Sequence, residues 1–204
     1  MSEPVPTWAG RVGSRWNLPN VLTTVRVVLV PLFAWMLLAH PHQEGWRIAT
    51  TLVFLLAIGT DFVDGRVARR YGLVTDFGKL WDPIADKALT GMAFIGLSIL
   101  GELPWWITVI ILVREWGITV LRWGIHKYGV MAANRGGKLK TATQSVALTL
   151  YLLWLAQLPV PVRWVAWILM GAAFVLTVVT GLDYIREATA MRRRALHGTS
   201  RPGS

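Results

Sequence analysis

The chain has 204 residues, 54% of them hydrophobic, with 12 Trp, no Cys and a net charge of +10. A soluble domain of this length needs charged faces at helical spacing, and long stretches here carry almost none. The lack of cysteine excludes disulfides, thiolate metal sites and thiol chemistry, and four His (positions 40, 42, 126 and 197) argue against a multi-His metal centre.

A helix that crosses a hydrocarbon core needs about 20 mostly apolar residues. Six runs meet that length, at about 20–39, 47–69, 82–101, 104–125, 141–158 and 163–185. They predict an all-α integral membrane protein with six transmembrane helices and a short N-terminal interfacial helix. The expected division is an N-terminal cytoplasmic or interfacial segment over 1–19, a six-helix catalytic domain over 20–186, and a basic, disordered tail over 187–204. Met1 to Trp16 is polar and contains Pro, so it does not read as a cleavable signal. Ser14 to Trp16 form the interfacial helix with Trp16 at headgroup depth, and Asn17, Pro19 and Asn20 suit a turn followed by a helix start. Arg26, about two turns into the first span, either snorkels to the interface or faces the acidic positions described below; Pro31 is a candidate kink. His40 and His42 read as loop surface. Trp105, Trp106, Trp164 and Trp167 read as interfacial anchors, and Gly91, Gly96, Gly171 and Gly181 as positions of close helix contact.

Charge is distributed by side. With six spans, Arg11, Arg15, Arg69, Arg70, Lys79, Lys127, Arg135, Lys138, Lys140 and Arg192 to Arg194 fall on one side, and Arg47 and Arg163, with Glu44 and Glu102, on the other. Positive residues collect at the cytoplasmic face, so both termini are expected there, in a bacterial inner membrane. The basic partners implied are anionic lipid headgroups and phosphate substrates, not nucleic acid.

The segment "DFVDGRVARRYGLVTDFGKLWDPIADK", residues 61–87, places carboxylates at the edges of two apolar runs. Asp61 and Asp64 are three apart and share a helical face; Asp82 and Asp86 are four apart and share another. If the two helices are antiparallel neighbours, the faces meet. Converging carboxylates repel one another and call for a cation, and an all-oxygen donor set selects a hard divalent ion such as Mg²⁺ or Mn²⁺. Mg²⁺ commonly leaves positions open to substrate phosphate, which turns an acidic site into a phosphate site. Gly65 and Gly78 leave no side chain beside Asp64 and a turn before Asp82, and Arg69 suits bidentate contact with phosphate. A lone intramembrane Asp would read as a helix-contact or ion-path residue; four at this spacing do not.

The pattern Asp61-x2-Asp64-Gly65-x2-Ala68-Arg69-x8-Gly78-x3-Asp82-x3-Asp86 resembles the signature of the CDP-alcohol phosphotransferase family at all eight fixed positions. The resemblance implies six spans, cytoplasmic termini, a homodimer, and a site at the cytoplasmic membrane edge. It further implies that Asp61, Asp64 and Asp82 hold two divalent ions with Asp86 near them, and that Asp86 is the general base. Asp61, Gly65, Ala68, Arg69 and Gly78 would line the cytidine diphosphate site. The reaction implied is attack of an alcohol oxygen on the β-phosphate of a CDP-linked donor, with release of CMP. Spacing alone does not select the base among the four aspartates.

"NLPNVLTTVRVVLVP", "DPIADK", "VREWGITVLRWG" and "NRGGKLKTATQ" resemble the branch of the family that joins CDP-diacylglycerol to glycerol 3-phosphate. Arg114 and Arg122 lie about two turns apart on one face, and Lys138 and Lys140 precede the fifth span, where Thr141 can cap. Arg114, Arg122, Lys138, Lys140 and Arg186 are the candidates for binding the acceptor phosphate. Arg114 equally fits a structural ion pair with Glu115 or Asp183, and Lys140 and Arg186 equally fit lipid headgroups. Rival expectations are the same chemistry on inositol phosphate, or on phosphatidylglycerol to give cardiolipin, and, more remotely, a divalent-cation channel or transporter.

Overall fold

The structure is a computed structural model. It describes the backbone of residues 18–71, 76–125 and 135–198, and the side chains of 24–60, 84–121, 124 and 136–191. Among the described residues the chain forms six α-helices and no strand: α1 (Leu18–Ala39), α2 (Glu44–Tyr71), α3 (Asp76–Ile99), α4 (Trp105–Ile125), α5 (Arg135–Leu152) and α6 (Val160–Gly198). One 3₁₀ turn, Leu155–Gln157, lies between α5 and α6. The expected interfacial helix at Ser14 to Trp16 lies outside the described residues.

Three helices differ clearly in their bounds from the expectation, the first being α3, which starts at Asp76 and not at 82. α5 starts at Arg135 and stops at Leu152, where the apolar run continues to 158; Trp154 adopts a left-handed backbone (φ 64°) and turns the chain out of the helix. α6 runs on to Gly198, past position 186, so residues 187–198 are helical rather than an irregular tail. α1 is continuous through Pro31.

The chain divides into two compact units, Met1–Glu102 with Thr149–Leu158, and Leu103–Leu148 with Pro159–Ser204. In the first unit α1 packs along both α2 and α3, which touch one another over a shorter length. Apolar residues at helical spacing supply the contacts: Phe33 and Leu37 from α1, Phe54 and Ala57 from α2, and Ala85, Leu89 and Ala93 from α3 are all buried. Phe33 and Phe54 pack with ring centroids 5.8 Å apart. At Gly96 α3 lies close against α1, since a Cβ there would lie 2.5 Å from Leu37 Cδ2. α3 ends in a Schellman cap: Gly101 takes φ 72°, its N–H donates to Ser98 O, and the Glu102 N–H reaches Leu97 O at 2.9 Å.

That cap delivers Glu102 to Arg47. The Arg47 guanidinium, 1% exposed, donates from Nη2 to Glu102 Oε2 at 2.6 Å and to the Tyr151 carbonyl at 2.8 Å, joining the start of α2, the α3–α4 turn and the end of α5. Its Nε and Nη1 are buried without hydrogen bonds, so Glu102 carries most of its compensation. Glu102→Ala should therefore destabilise the fold by roughly 3–5 kcal/mol. Thermal inactivation in detergent reads this, and an unchanged midpoint would mean the pair contributes nothing net. His40, expected as bland surface, instead stacks on Trp46 (4.4 Å), with Trp35 edge-on to both rings.

In the second unit α4 packs on α6. The buried stripe of α6 reads Ala166, Met170, Ala173, Thr177, Thr180, Tyr184, Ala188, at steps of three and four. Gly181 belongs to the same stripe: a Cβ there would meet Arg114 Cγ at 3.0 Å. Gly171 differs from the expectation, with open space around it, while Gly91 is buried.

Several polar side chains are buried and several large apolar ones are exposed. Arg26, Arg47, Thr50, Thr51, Lys140, Gln144, Thr177 and Thr180 are buried, whereas Leu56, Val113, Val120, Ile168 and Leu182 are more than half exposed. The buried threonines satisfy their hydroxyls on carbonyls of their own helix, as in Thr51 to Arg47 O (2.8 Å) and Thr177 to Ala173 O (2.6 Å). One helix segment among the described residues, Val160–Met191, is long and apolar enough to cross a membrane by itself; Thr24–Ala39 is a shorter apolar stretch.

Candidate active site

The aspartate positions fall on two consecutive helices joined by the short connection 72–75. Asp61 and Asp64 stand ten and seven residues before the end of α2, and Asp82 and Asp86 six and ten residues after the start of α3. At 1.5 Å per residue both pairs lie about 9–15 Å along their helices from the connection. α2 and α3 touch one another, and both pairs stand at similar distances from the connection along their own helices. Gly65, Ala68 and Arg69 follow on the last turns of α2, and Gly78 on the first turn of α3. The side chains of residues 61–83 lie outside the described ones.

Asp86 is described: it is half-buried, and its backbone carbonyl accepts from Thr90 Oγ1 at 2.9 Å. Among the described side chains no group of three or more His, Cys, Asp or Glu could hold a metal ion. The donor set of the four aspartate positions, carboxylate oxygen throughout, fits a hard divalent cation.

Arg26 has two readings from sequence, snorkelled outward or facing the acidic positions. It is 1% exposed, and its Nε donates to the Ala57 carbonyl of α2 at 3.3 Å, which places it inside the α1–α2 interface rather than snorkelled outward.

The basic candidates of the second unit fall into two groups. Arg114 and Lys140 are engaged by one carboxylate: Arg114 Nη1 donates to Glu115 Oε1 at 2.8 Å, and Lys140 Nζ to the same oxygen at 2.5 Å. Arg114 Nη2 also donates to Thr180 Oγ1 at 2.7 Å, and its guanidinium lies 5.8 Å from the centre of the Tyr184 ring. Of the two ion-pair partners open to Arg114, the structure has Glu115; Asp183 is exposed. Lys138 and Arg186 are exposed on α5 and α6. The side chain of Arg122 lies outside the described residues. Hydropathy does not reveal this Glu115 knot, because one carboxylate between two cations reads as a local charge cluster; the adjacency of Arg114 and Glu115 is its one visible signal.

The first unit thus carries regularly spaced aspartate positions on α2 and α3, and the second a basic cluster on α4, α5 and α6. The family pattern described as CDP-alcohol phosphatidyltransferase matches residues 16–179. Similar proteins include a probable phosphatidylglycerophosphate synthase of Mycobacterium tuberculosis, 49% identical over 173 residues that span 84% of this chain and 81% of the relative. A CDP-diacylglycerol–glycerol-3-phosphate 3-phosphatidyltransferase of Bacillus subtilis is 36% identical over 184 residues (84% and 95%), and one of Rickettsia typhi is 38% identical over 179 (83% and 96%). The chain belongs to the CDP-alcohol phosphatidyltransferase family and is an enzyme of that type.

Proposed function

We propose that the protein transfers a phosphatidyl group from CDP-diacylglycerol to glycerol 3-phosphate, giving phosphatidylglycerophosphate and CMP. The observation that carries this reading is the agreement in name among relatives that are 36–49% identical and matched over most of their own length. The intact aspartate pattern at positions 61–86 supports it from the residues.

The reading includes residence in a membrane, as a bundle of six spanning helices. Exposed Val, Leu, Ile and Trp around a buried set of Arg, Lys, Thr and Gln support it, since a soluble surface rarely carries apolar patches of that extent. Trp105, Trp106, Trp164 and Trp167, all at least half exposed at the starts of α4 and α6, suit anchors at one interface. A cytoplasmic position for both termini rests on the charge asymmetry of the sequence.

In the reaction the acceptor hydroxyl oxygen forms a bond to the β-phosphorus, the P–O bond to the CMP phosphate breaks, and the hydroxyl proton passes to the Asp86 carboxylate. Asp61, Asp64, Asp82 and Asp86 would hold divalent cation, which supplies charge neutralisation on the pyrophosphate and the departing CMP. Gly65, Ala68 and Gly78 leave room for the nucleotide head, and Arg69 meets its phosphate charge. For the acceptor phosphate, Lys138, Arg186 and Arg122 are the favoured cations, because Glu115 already engages the charges of Arg114 and Lys140.

Two outcomes test this assignment. Chelation by EDTA should abolish CMP release and added Mg²⁺ or Mn²⁺ restore it; turnover in EDTA would exclude the metal role of the aspartates. Lys138→Met should raise KM for glycerol 3-phosphate about tenfold or more with little change in KM for the donor, as for loss of one charge-assisted hydrogen bond. Equal effects on both substrates would remove Lys138 from the acceptor site.

A further inference from the structure

We infer that Arg26 is a positioning residue for the α2 aspartates, acting through the Ala57 carbonyl. Arg26 is a fully buried cation on α1, the helix that packs on both aspartate-bearing helices. Its Nε donates to Ala57 O at 3.3 Å, and Thr60 Oγ1 donates to the same oxygen at 2.9 Å. In α2 that carbonyl is also the i−4 acceptor for the Asp61 N–H. Three donors thus converge on the peptide group that closes the Asp61 turn. At about 100° per residue, positions 61 and 64 fall within about 40° of the direction of Ala57. The face of α2 gripped by Arg26 is therefore the face that carries the acidic pair one and two turns further on.

A buried guanidinium is costly unless its donors are met. Its placement one turn from two carboxylate positions gives the charge a use. It holds the rotation of the α2 end against α1, and with it the backbone positions that carry Asp61 and Asp64. This inference rests on the reading of those aspartates as metal-holding residues.

The test is Mn²⁺ binding to the purified full-length protein in detergent without nucleotide, followed by the EPR signal of free Mn²⁺, with thermal stability measured alongside. Wild type should bind and Asp61→Asn should not. Arg26→Gln should weaken Mn²⁺ about tenfold, in line with the loss of an outer-shell orienting contact, and Arg26→Lys, which keeps the charge without the fork, about threefold. Removing a nearby positive charge by Coulomb attraction alone would tighten cation binding, so the direction separates positioning from simple charge. Phe54→Leu, which loosens the same α1–α2 interface, should lower stability and leave Mn²⁺ affinity unchanged. Affinity in Arg26→Gln equal to wild type, or tighter, overturns the inference. If that variant does not fold, unchanged affinity in both Arg26→Lys and Thr60→Ala overturns it. Failure of wild type to bind Mn²⁺ overturns the metal reading itself, and the positioning role with it.

Discussion

Asp86→Asn should lower the rate of CMP release by about a thousandfold, within the 10²–10⁴ range for loss of a general base. The exchange keeps the size of the side chain and removes its ability to accept a proton as a carboxylate. It also removes one anionic oxygen donor from the metal-holding set, so the loss should persist at saturating substrate and appear in kcat. The fold should survive, because the exchange keeps the shape of the side chain and the bond from Thr90 Oγ1 to the Asp86 backbone carbonyl. Single-turnover CMP release, with circular dichroism and a thermal melt on the same preparation, checks the prediction. A folded variant retaining a tenth of wild-type activity would move the base to another group.

Glu115→Gln should be the most destabilising polar substitution in the second unit, at about 3–5 kcal/mol. Glu115 is 18% exposed and one of its oxygens accepts from both Arg114 (14% exposed) and Lys140 (7% exposed). Neutralising it leaves two cations a few ångströms apart with little water to screen them. Glutamine can still accept one hydrogen bond but cannot offset either charge. The knot ties α4 to α5 through Lys140 and to α6 through Thr180, so its loss loosens three helices. Adding Lys140→Met to Glu115→Gln removes one of the stranded cations, so the double variant should be more stable than the sum of the two single changes. Thermal inactivation of the four proteins in detergent reads the cycle; additive losses would show that the two residues do not act as a pair.

Much of the helix order was legible because an apolar run of about 20 residues and a helix period are both one-dimensional signals. The aspartate spacing was legible for a related reason: charge at the edge of an apolar run is costly, so its regular placement at three and four residues stands out. What escaped was fixed by contacts distant in sequence. The stretch "RGGKLK" reads as a loop because it is polar and holds two glycines, yet α5 begins there. Those glycines lie against α6, Gly136 beside Thr180 and Gly137 beside the Tyr184 hydroxyl, so tertiary contact overrides weak helix propensity. Arg47 counted only toward charge asymmetry, since nothing local reveals that a glycine cap 54 residues later delivers Glu102 to it. Arg26 and Arg114 each fit two roles from sequence, and their burial and named partners are visible only in the fold.

The central claim is the transfer of a phosphatidyl group to glycerol 3-phosphate, and the acceptor is its most exposed part. The direct measurement offers purified protein CDP-diacylglycerol and Mg²⁺ with glycerol 3-phosphate, inositol phosphate or phosphatidylglycerol in separate reactions, and follows both CMP and the lipid product. CMP release with glycerol 3-phosphate alone, with phosphatidylglycerophosphate as the lipid formed, is the predicted result. Turnover with either of the other acceptors in place of glycerol 3-phosphate would contradict it and would require the basic cluster of α4, α5 and α6 to be assigned to a different ligand.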